Sequence, residues 1–311
     1  MPVLNPKQQS VLDELIEPNA PRPKFDEKLK HELTRALEDS ISDIDVAADK
    51  EQVVISKAQL AQIHTCEGHF LAEEGAFSWN AASATGSVAH EAAALSFGMR
   101  EDKPAADLVD IAIDRMSQEK RRGTPGEWLA EAPAEEIADL RIKAVDHVGK
   151  FLDIFPPLSN DMSPRFETSI SAEVLDKGLK LSGRPDLKLF KPKGNEAGVL
   201  IIELKTGRMH PNHLDELRFY SLLETFYTGV PPYRAATFYL ETGTWIPEDI
   251  TVEKLHSAIR RTSEGIRKIT EIRKGREATL SPGPTCNFCS ARETCSRAEE
   301  GLTQLRDDLD I

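Results

Sequence analysis

Two sets of residues in this 311-residue chain have the types and spacing that chemistry needs. The first joins Gly183-Arg184-Pro185-Asp186 to Val199-Leu200-Ile201-Ile202, which leads into Glu203-Leu204-Lys205. An apolar run ending in charges has the pattern of a central strand covered on both faces. Side chains alternate along a strand, so Glu203 and Lys205 share one face and Leu204 takes the other. Charges at the end of a buried strand are costly unless they are paired or used. The carboxylates of Asp186 and Glu203 repel each other and suit a divalent cation held by oxygen ligands. Lys205, beside such a cation, can orient an attacking water or offset charge on a phosphate.

The second set is the cysteines, four in all: Cys286, Cys289 and Cys295 form C-x2-C-x5-C near the C-terminus, and Cys66 lies far upstream. The trio can turn three sulfurs toward one point, one thiolate short of a tetrahedral site, and Cys66 is the candidate to complete it. Four thiolates suit an iron-sulfur cluster or zinc. Zinc sites come more often as two close pairs, so the one-plus-three layout favours the cluster. The Met-Pro-Val-Leu-Asn-Pro start has no basic segment followed by an apolar one, and no run approaches the ~18 apolar residues of a membrane helix. A soluble cytoplasmic protein with no membrane partner is expected, and in that reducing setting cysteines serve as ligands more often than as disulfides.

The elements that must position these residues are legible from periodicity. Helices are predicted over residues 24–42, 56–64 (with Ser56 as N-cap, running into Cys66), 86–97, 107–116 and 135–151, the last two separated by a Gly/Pro turn at 123–126. Pro156-Pro157 closes the helical section. Strands follow over 165–174, 179–190 and 198–204, then a helix over 212–227, a strand over 233–241 and a long charged helix over 251–275. This order makes an α/β sandwich. Hydrophobic residues, 40% of the chain, can build its core, while residues 1–50, rich in charge and proline, read as an extension outside it. The net charge of −13 weighs only weakly against a nucleic-acid partner, because bound cations bridge carboxylates to phosphate. The basic stretches, Lys120-Arg121-Arg122 and Arg260, Arg261, Arg267, Lys268, Arg273, Lys274 and Arg276, suit either phosphate or a solvated helix face.

Asp186, the Glu203-Leu204-Lys205 triplet and the literal Pro185-Asp186 resemble the signature of the PD-(D/E)XK nuclease superfamily. The closer resemblance is to its RecB-like branch, including CRISPR-associated RecB-like exonucleases and AddB-type iron-sulfur nucleases. Ser56-Lys57-Ala58-Gln59-Leu60 leading to Cys66 is similar to the branch's N-terminal signature, Gly86-Ser87-Val88-Ala89-His90 to its Gly-x-x-x-His element, and the C-terminal cysteines to its cluster. Each piece alone is weak, since Glu-x-Lys arises by chance on many surfaces and a helix histidine is usually no ligand. Their ordered conjunction carries the resemblance, over about residues 52–297.

The resemblance implies a restriction-endonuclease-like αβββαβ core over residues 161–250. Before it comes a helical region, 51–160, holding Cys66 and His90; after it, a C-terminal helix and cysteine loop, 251–311, packed back on residue 66. It implies a Mg- or Mn-dependent DNA exonuclease, with His90, Asp186, Glu203 and the Leu204 carbonyl as metal ligands and Lys205 on the attacking water. Cys66, Cys286, Cys289 and Cys295 would hold a structural 4Fe-4S cluster, with zinc as the alternative. It implies DNA that is single-stranded or has free ends, a role in repair, recombination or defence, and a helicase or other repair or defence protein as partner. The branch's Gln-x-x-x-Tyr element becomes Glu216-Leu217-Arg218-Phe219-Tyr220, in which Tyr220 would steady the strand. Glu216 can only accept where glutamine also donates. Glu167 is a further acidic candidate. Two rival readings are a catalytically silent DNA-binding accessory subunit and a zinc-stabilised interaction protein.

Overall fold

A computed structural model describes residues 3–17, 19–44, 52–74, 79–98, 103–119, 121, 123–176 and 178–309. α1 (Pro6–Ser10) runs into a π-helical turn (Val11–Ile16) and is followed by α2 (Leu29–Ser40), β1 (Val53–Ser56) and α3 (Lys57–Thr65). The helical region continues through α4 (Glu67–Glu73), α5 (Ala81–Gly98), α6 (Ala105–Gln118), α7 (Pro125–Glu131) and α8 (Ala134–Ile154). Next come β2 (Arg165–Phe166), β3 (Ile170–Val174), β4 (Leu179–Gly183), β5 (Leu187–Leu189) and β6 (Leu200–Lys205). α9 (Asn212–Thr228), β7 (Arg234–Tyr239), β8 (Thr244–Asp249), α10 (Val252–Arg273) and α11 (Ala298–Leu309) complete the chain.

The expected mixed α/β architecture is present, with the apolar run 200–205 at its centre. β6 pairs antiparallel with β5 and parallel with β7 in a five-stranded sheet ordered β2-β5-β6-β7-β8. Leu200, Ile202 and Leu204 pack into one hydrophobic cluster with residues of α5, α6 and α8. Val199 and Ile201 pack into a second with residues of α2, α3, α9 and α10. This alternation is what sends Glu203 and Lys205 toward α3 and α9.

The predicted strands over 165–174 and 179–190 are each cut in two. β3 and β4 join β1 in a three-stranded sheet ordered β1-β4-β3, while β2 and β5 belong to the larger one. Phe166 faces Leu187 and Ile170 faces Gly183, so the same register resumes on both sides of the gap. Pro185 has no N–H to offer a ladder, which opens the hairpin at this point. A backbone bond crosses the opening, from Glu167 N to Asp186 O at 3.0 Å. α9 touches β3 and β4 of one sheet and β6 and β7 of the other, bridging them.

Two further expectations are corrected. The segment 1–50 does not stand outside the core in its described part: Val11, Leu15 and Ile16 are buried in the first cluster, and Leu29, Leu33, Leu37 and Ile41 in the second. The strand β8, unforeseen, pairs antiparallel with β7 and carries Pro247, a residue that a sheet edge tolerates. Among the described residues no helix is long and apolar enough to cross a membrane.

Candidate active site

The opened hairpin, the end of β6, the start of α3 and the middle of α5 meet at a cleft of about 870 Å³, lined by His90, Glu167, Asp186, Glu203, Lys205 and Lys57 among others. Asp186 lies just past the last β5–β6 pair, Leu187 with Ile202. Its Oδ2 accepts the Leu204 N–H at 2.7 Å, and Oδ1 lies 3.3 Å from His90 Nδ1. His90, Glu167 and Asp186 bring ligand atoms within 4.8 Å of one another. Glu167 has φ 47°, a left-handed conformation rare outside glycine, and its carboxylate receives Arg184 Nε at 2.7 Å.

Glu203 is buried, and its two oxygens differ. Oε1 accepts from Lys57 Nζ and, at 3.2 Å, from Lys205 Nζ. Oε2 is buried with no hydrogen-bond partner. Lys205 also reaches Glu216 Oε2 at 2.7 Å, and Lys57 reaches the same oxygen at 3.3 Å. Burial pushes the Glu203 carboxyl up, and repulsion from Asp186 adds to it, so that it stays raised despite Lys57 and Lys205. Burial acts on Asp186 in the same direction, but His90 and the Leu204 N–H hold it below the usual carboxylate range. His90 is opposed by burial and raised on balance by Asp186, Glu203 and Glu167. A crowded acidic site with an unsatisfied oxygen is one that a divalent cation fits, through oxygen and imidazole ligands.

Tyr220 has a different place from the one expected. It is 2% exposed, and its hydroxyl donates to the Arg184 carbonyl at 3.0 Å, so it braces the bend that carries Asp186 and offers no surface to a strand. Glu216 is likewise committed to the two lysines. Much of the basic stretch on and after α10 is paired within the fold: Arg261 with Asp215, Arg267 with Asp43, Arg273 with Glu74 and Arg276 with Glu67. Lys120 and Arg122 lie outside the described residues.

Cys66 ends α3 and begins α4, and the loop carrying Cys286, Cys289 and Cys295 folds back to it. All four cysteines line one cavity of about 330 Å³. Ser281 N donates to Cys66 Sγ at 3.4 Å. Among the described residues the two close groups of potential ligands, with atoms within 4.8 Å, are the His90 set and His69, Glu73 and Cys289; the four sulfurs are more widely spread. Burial raises the Cys289 thiol above its ordinary value, with Glu73, Cys66 and Cys286 adding to the effect.

The sequence profile of the PD-(D/E)XK nuclease superfamily matches residues 54–296, well over half of the chain. The chain belongs to this superfamily. Among curated proteins none matches the sequence. Among solved structures, the protein crystallised as SSO0001 is similar with a TM-score of 0.39 and 14% identity, over 86% of this chain and 94% of that one. A candidate exonuclease from Eubacterium rectale is similar with a TM-score of 0.41 and 14% identity, over 79% and 90%. These likenesses are too distant to carry the assignment, which rests on the profile match.

In this PD-(D/E)XK protein the structure gathers His90, Asp186, Glu203 and Lys205 at one cleft, adds Glu167, and keeps Tyr220 beneath it. Lys57 and His69 were not foreseen. Lys57 was read only as part of the 56–60 signature, because its partner Glu203 lies 146 residues away. His69 did carry one, the Cys-x-x-His spacing from Cys66.

Proposed function

We propose that this superfamily member is a divalent-metal-dependent DNA exonuclease whose four cysteines hold an iron-sulfur cluster. The observation that carries the nuclease reading is the buried, partnerless Glu203 Oε2 beside the Asp186–His90 pair, at the mouth of a cleft. His90, Asp186 and Glu167, whose ligand atoms lie within 4.8 Å of one another, would hold Mg or Mn, and the sequence resemblance adds Glu203 and the Leu204 carbonyl to that set. Bound there, the ion supplies charge compensation on the phosphate and a more acidic water. Lys205 Nζ would orient the attacking water, whose oxygen bonds to phosphorus as the opposite P–O bond breaks, while a proton from that water ends, by way of solvent, on the leaving oxygen. Glu203 and Asp186 keep their orientation because β6 and the Leu204 N–H fix them.

The cluster reading is supported by the four cysteines lining one cavity and by their one-plus-three layout along the sequence. Preference for free ends, the pathway served, a helicase or other protein partner and a cytoplasmic location belong to the same proposal, on the strength of the sequence resemblance.

The test is cleavage of end-labelled single- and double-stranded linear DNA, with a closed circle as control, by anaerobically purified protein in Mg or Mn. Loss of label as mononucleotides from linear DNA, abolished in Asp186→Asn, is the expected result. No cleavage of any of these DNAs by protein with full iron content would overturn the nuclease reading. One equivalent of zinc without iron would overturn the cluster.

A further inference from the structure

Lys57 lies in an unfavourable place for a cation. Ser56 caps α3 through a capping box with Gln59, which makes Lys57 the first residue of the helix, where the helix dipole repels positive charge. Its side chain is only 23% exposed. An ammonium held there against both desolvation and dipole must be offset by what it touches.

Its partners are those of Lys205. Both amines reach Glu203 Oε1, and both reach Glu216 Oε2, so the four side chains close a ring of alternating charge with no net charge. The Tyr220 ring lies beside it, its centroid 5.2 Å from Lys57 Nζ. Glu203 Oε2 is left out of the ring, buried and unpaired. If Lys205 alone held Glu203, turning toward a phosphate would release the carboxylate it holds. With Lys57 also on Oε1, Lys205 can turn while Glu203 stays.

We propose that Lys57 is a positioning residue of the hydrolytic centre: it keeps Glu203 fixed through Oε1, with Oε2 toward the cation, while Lys205 serves the scissile phosphate, and Glu216 offsets its charge. This rests on the nuclease reading. It gives the two partners opposite signatures. Without Lys57, Lys205 is the one cation for both carboxylates and is pinned away from substrate, while the site loses one positive charge. Without the Glu216 charge, two ammoniums crowd one carboxylate and repel an incoming cation.

The experiment is a double-mutant cycle on the full chain with two readouts: Mn binding to DNA-free protein by calorimetry, and single-turnover cleavage. Lys57→Met should bind Mn at least as tightly as the unmodified protein and cleave roughly tenfold or more slowly. Glu216→Gln should weaken Mn binding by roughly fivefold, and the double variant should return it to within about twofold. Lys57→Arg, which keeps the charge and the fold, should recover most of the cleavage rate. A double variant that binds Mn as weakly as Glu216→Gln would overturn the proposal, as would unchanged cleavage in Lys57→Met. The Mn cycle is read without DNA, so it still decides the charge ring if the protein cuts nothing and the nuclease reading itself fails.

Discussion

Gly183 is the point where the opened hairpin, α9 and the bend carrying Asp186 are mechanically joined, and replacing it with alanine tests that joint. A Cβ at Gly183 would lie 2.6 Å from Tyr220 Cε1 and 3.0 Å from both Tyr220 Cδ1 and Leu223 Cδ1. Ordinary contact begins near 3.5 Å, so the ring must retreat by roughly 1 Å. It has little room, since Tyr220 is 2% exposed and packed among Leu217, Leu222 and Leu223. Over-packing of this kind costs about 1–3 kcal/mol. A retreating ring also draws its hydroxyl from the Arg184 carbonyl, now 3.0 Å away, for a further loss of about 1 kcal/mol. Gly183→Ala should therefore destabilise the protein by about 2–4 kcal/mol in urea unfolding, and Gly183→Ala combined with Tyr220→Leu should recover part of it. Cleavage should fall in the single variant even under conditions where it is folded, because the bend carrying Asp186 loses its brace. Stability within about 0.5 kcal/mol of the unmodified protein would refute the account of this contact.

Lys188 and Glu224 form a fully buried pair at 2.7 Å, so Lys188→Ala strands a carboxylate and should cost about 3–5 kcal/mol in thermal or urea unfolding. Lys188→Met with Glu224→Leu should recover most of that loss. Burial raises the Glu67 carboxyl, but Arg276 and the Thr279 N–H hold it below its ordinary value of 4.5. A lowered value contributes stability that is present above pH 4.5 and is lost as pH falls through the folded value, so hydrogen exchange over residues 276–297 should accelerate there, and Glu67→Gln should remove that pH dependence. Cys66→Ala and Cys289→Ala should lower both bound iron and melting temperature to similar extents, since both line one cavity. Full iron and an unchanged melting temperature in Cys66→Ala would show that the two ends of the chain are not clasped.

What the sequence disclosed was whatever depends on neighbours along the chain. The α3 start was legible because Ser56 and Gln59 cap each other over three residues, and β6 because an unbroken apolar run can sit only in the middle of a sheet. The break in the hairpin was written in Pro185, yet the alternation on either side runs through it, since the register is unchanged across the gap. Residues 6–16 looked like an extension because they lie in a 50-residue stretch rich in charge and proline, while Val11, Leu15 and Ile16 are the residues among them that bury fully. At the site, the carboxylates and Lys205 were legible from strand alternation. The positions of Tyr220 beneath the bend and of Lys57 on Glu203 were not, because each depends on contacts between elements far apart in sequence.

α3 is a rod of nine residues, about 13–14 Å long. Lys57 stands at one end of it, on the Glu203 carboxylate, and Cys66 stands at the other, on the wall of the cysteine cavity. The cleft and the cysteine cavity are thus moored to a single stiff strut, and a helix transmits displacement along its axis with little slack. If the cysteines hold a cluster as proposed, a change at the sulfur end reaches the cleft along this strut, as a shift of Lys57 on the Glu203 carboxylate.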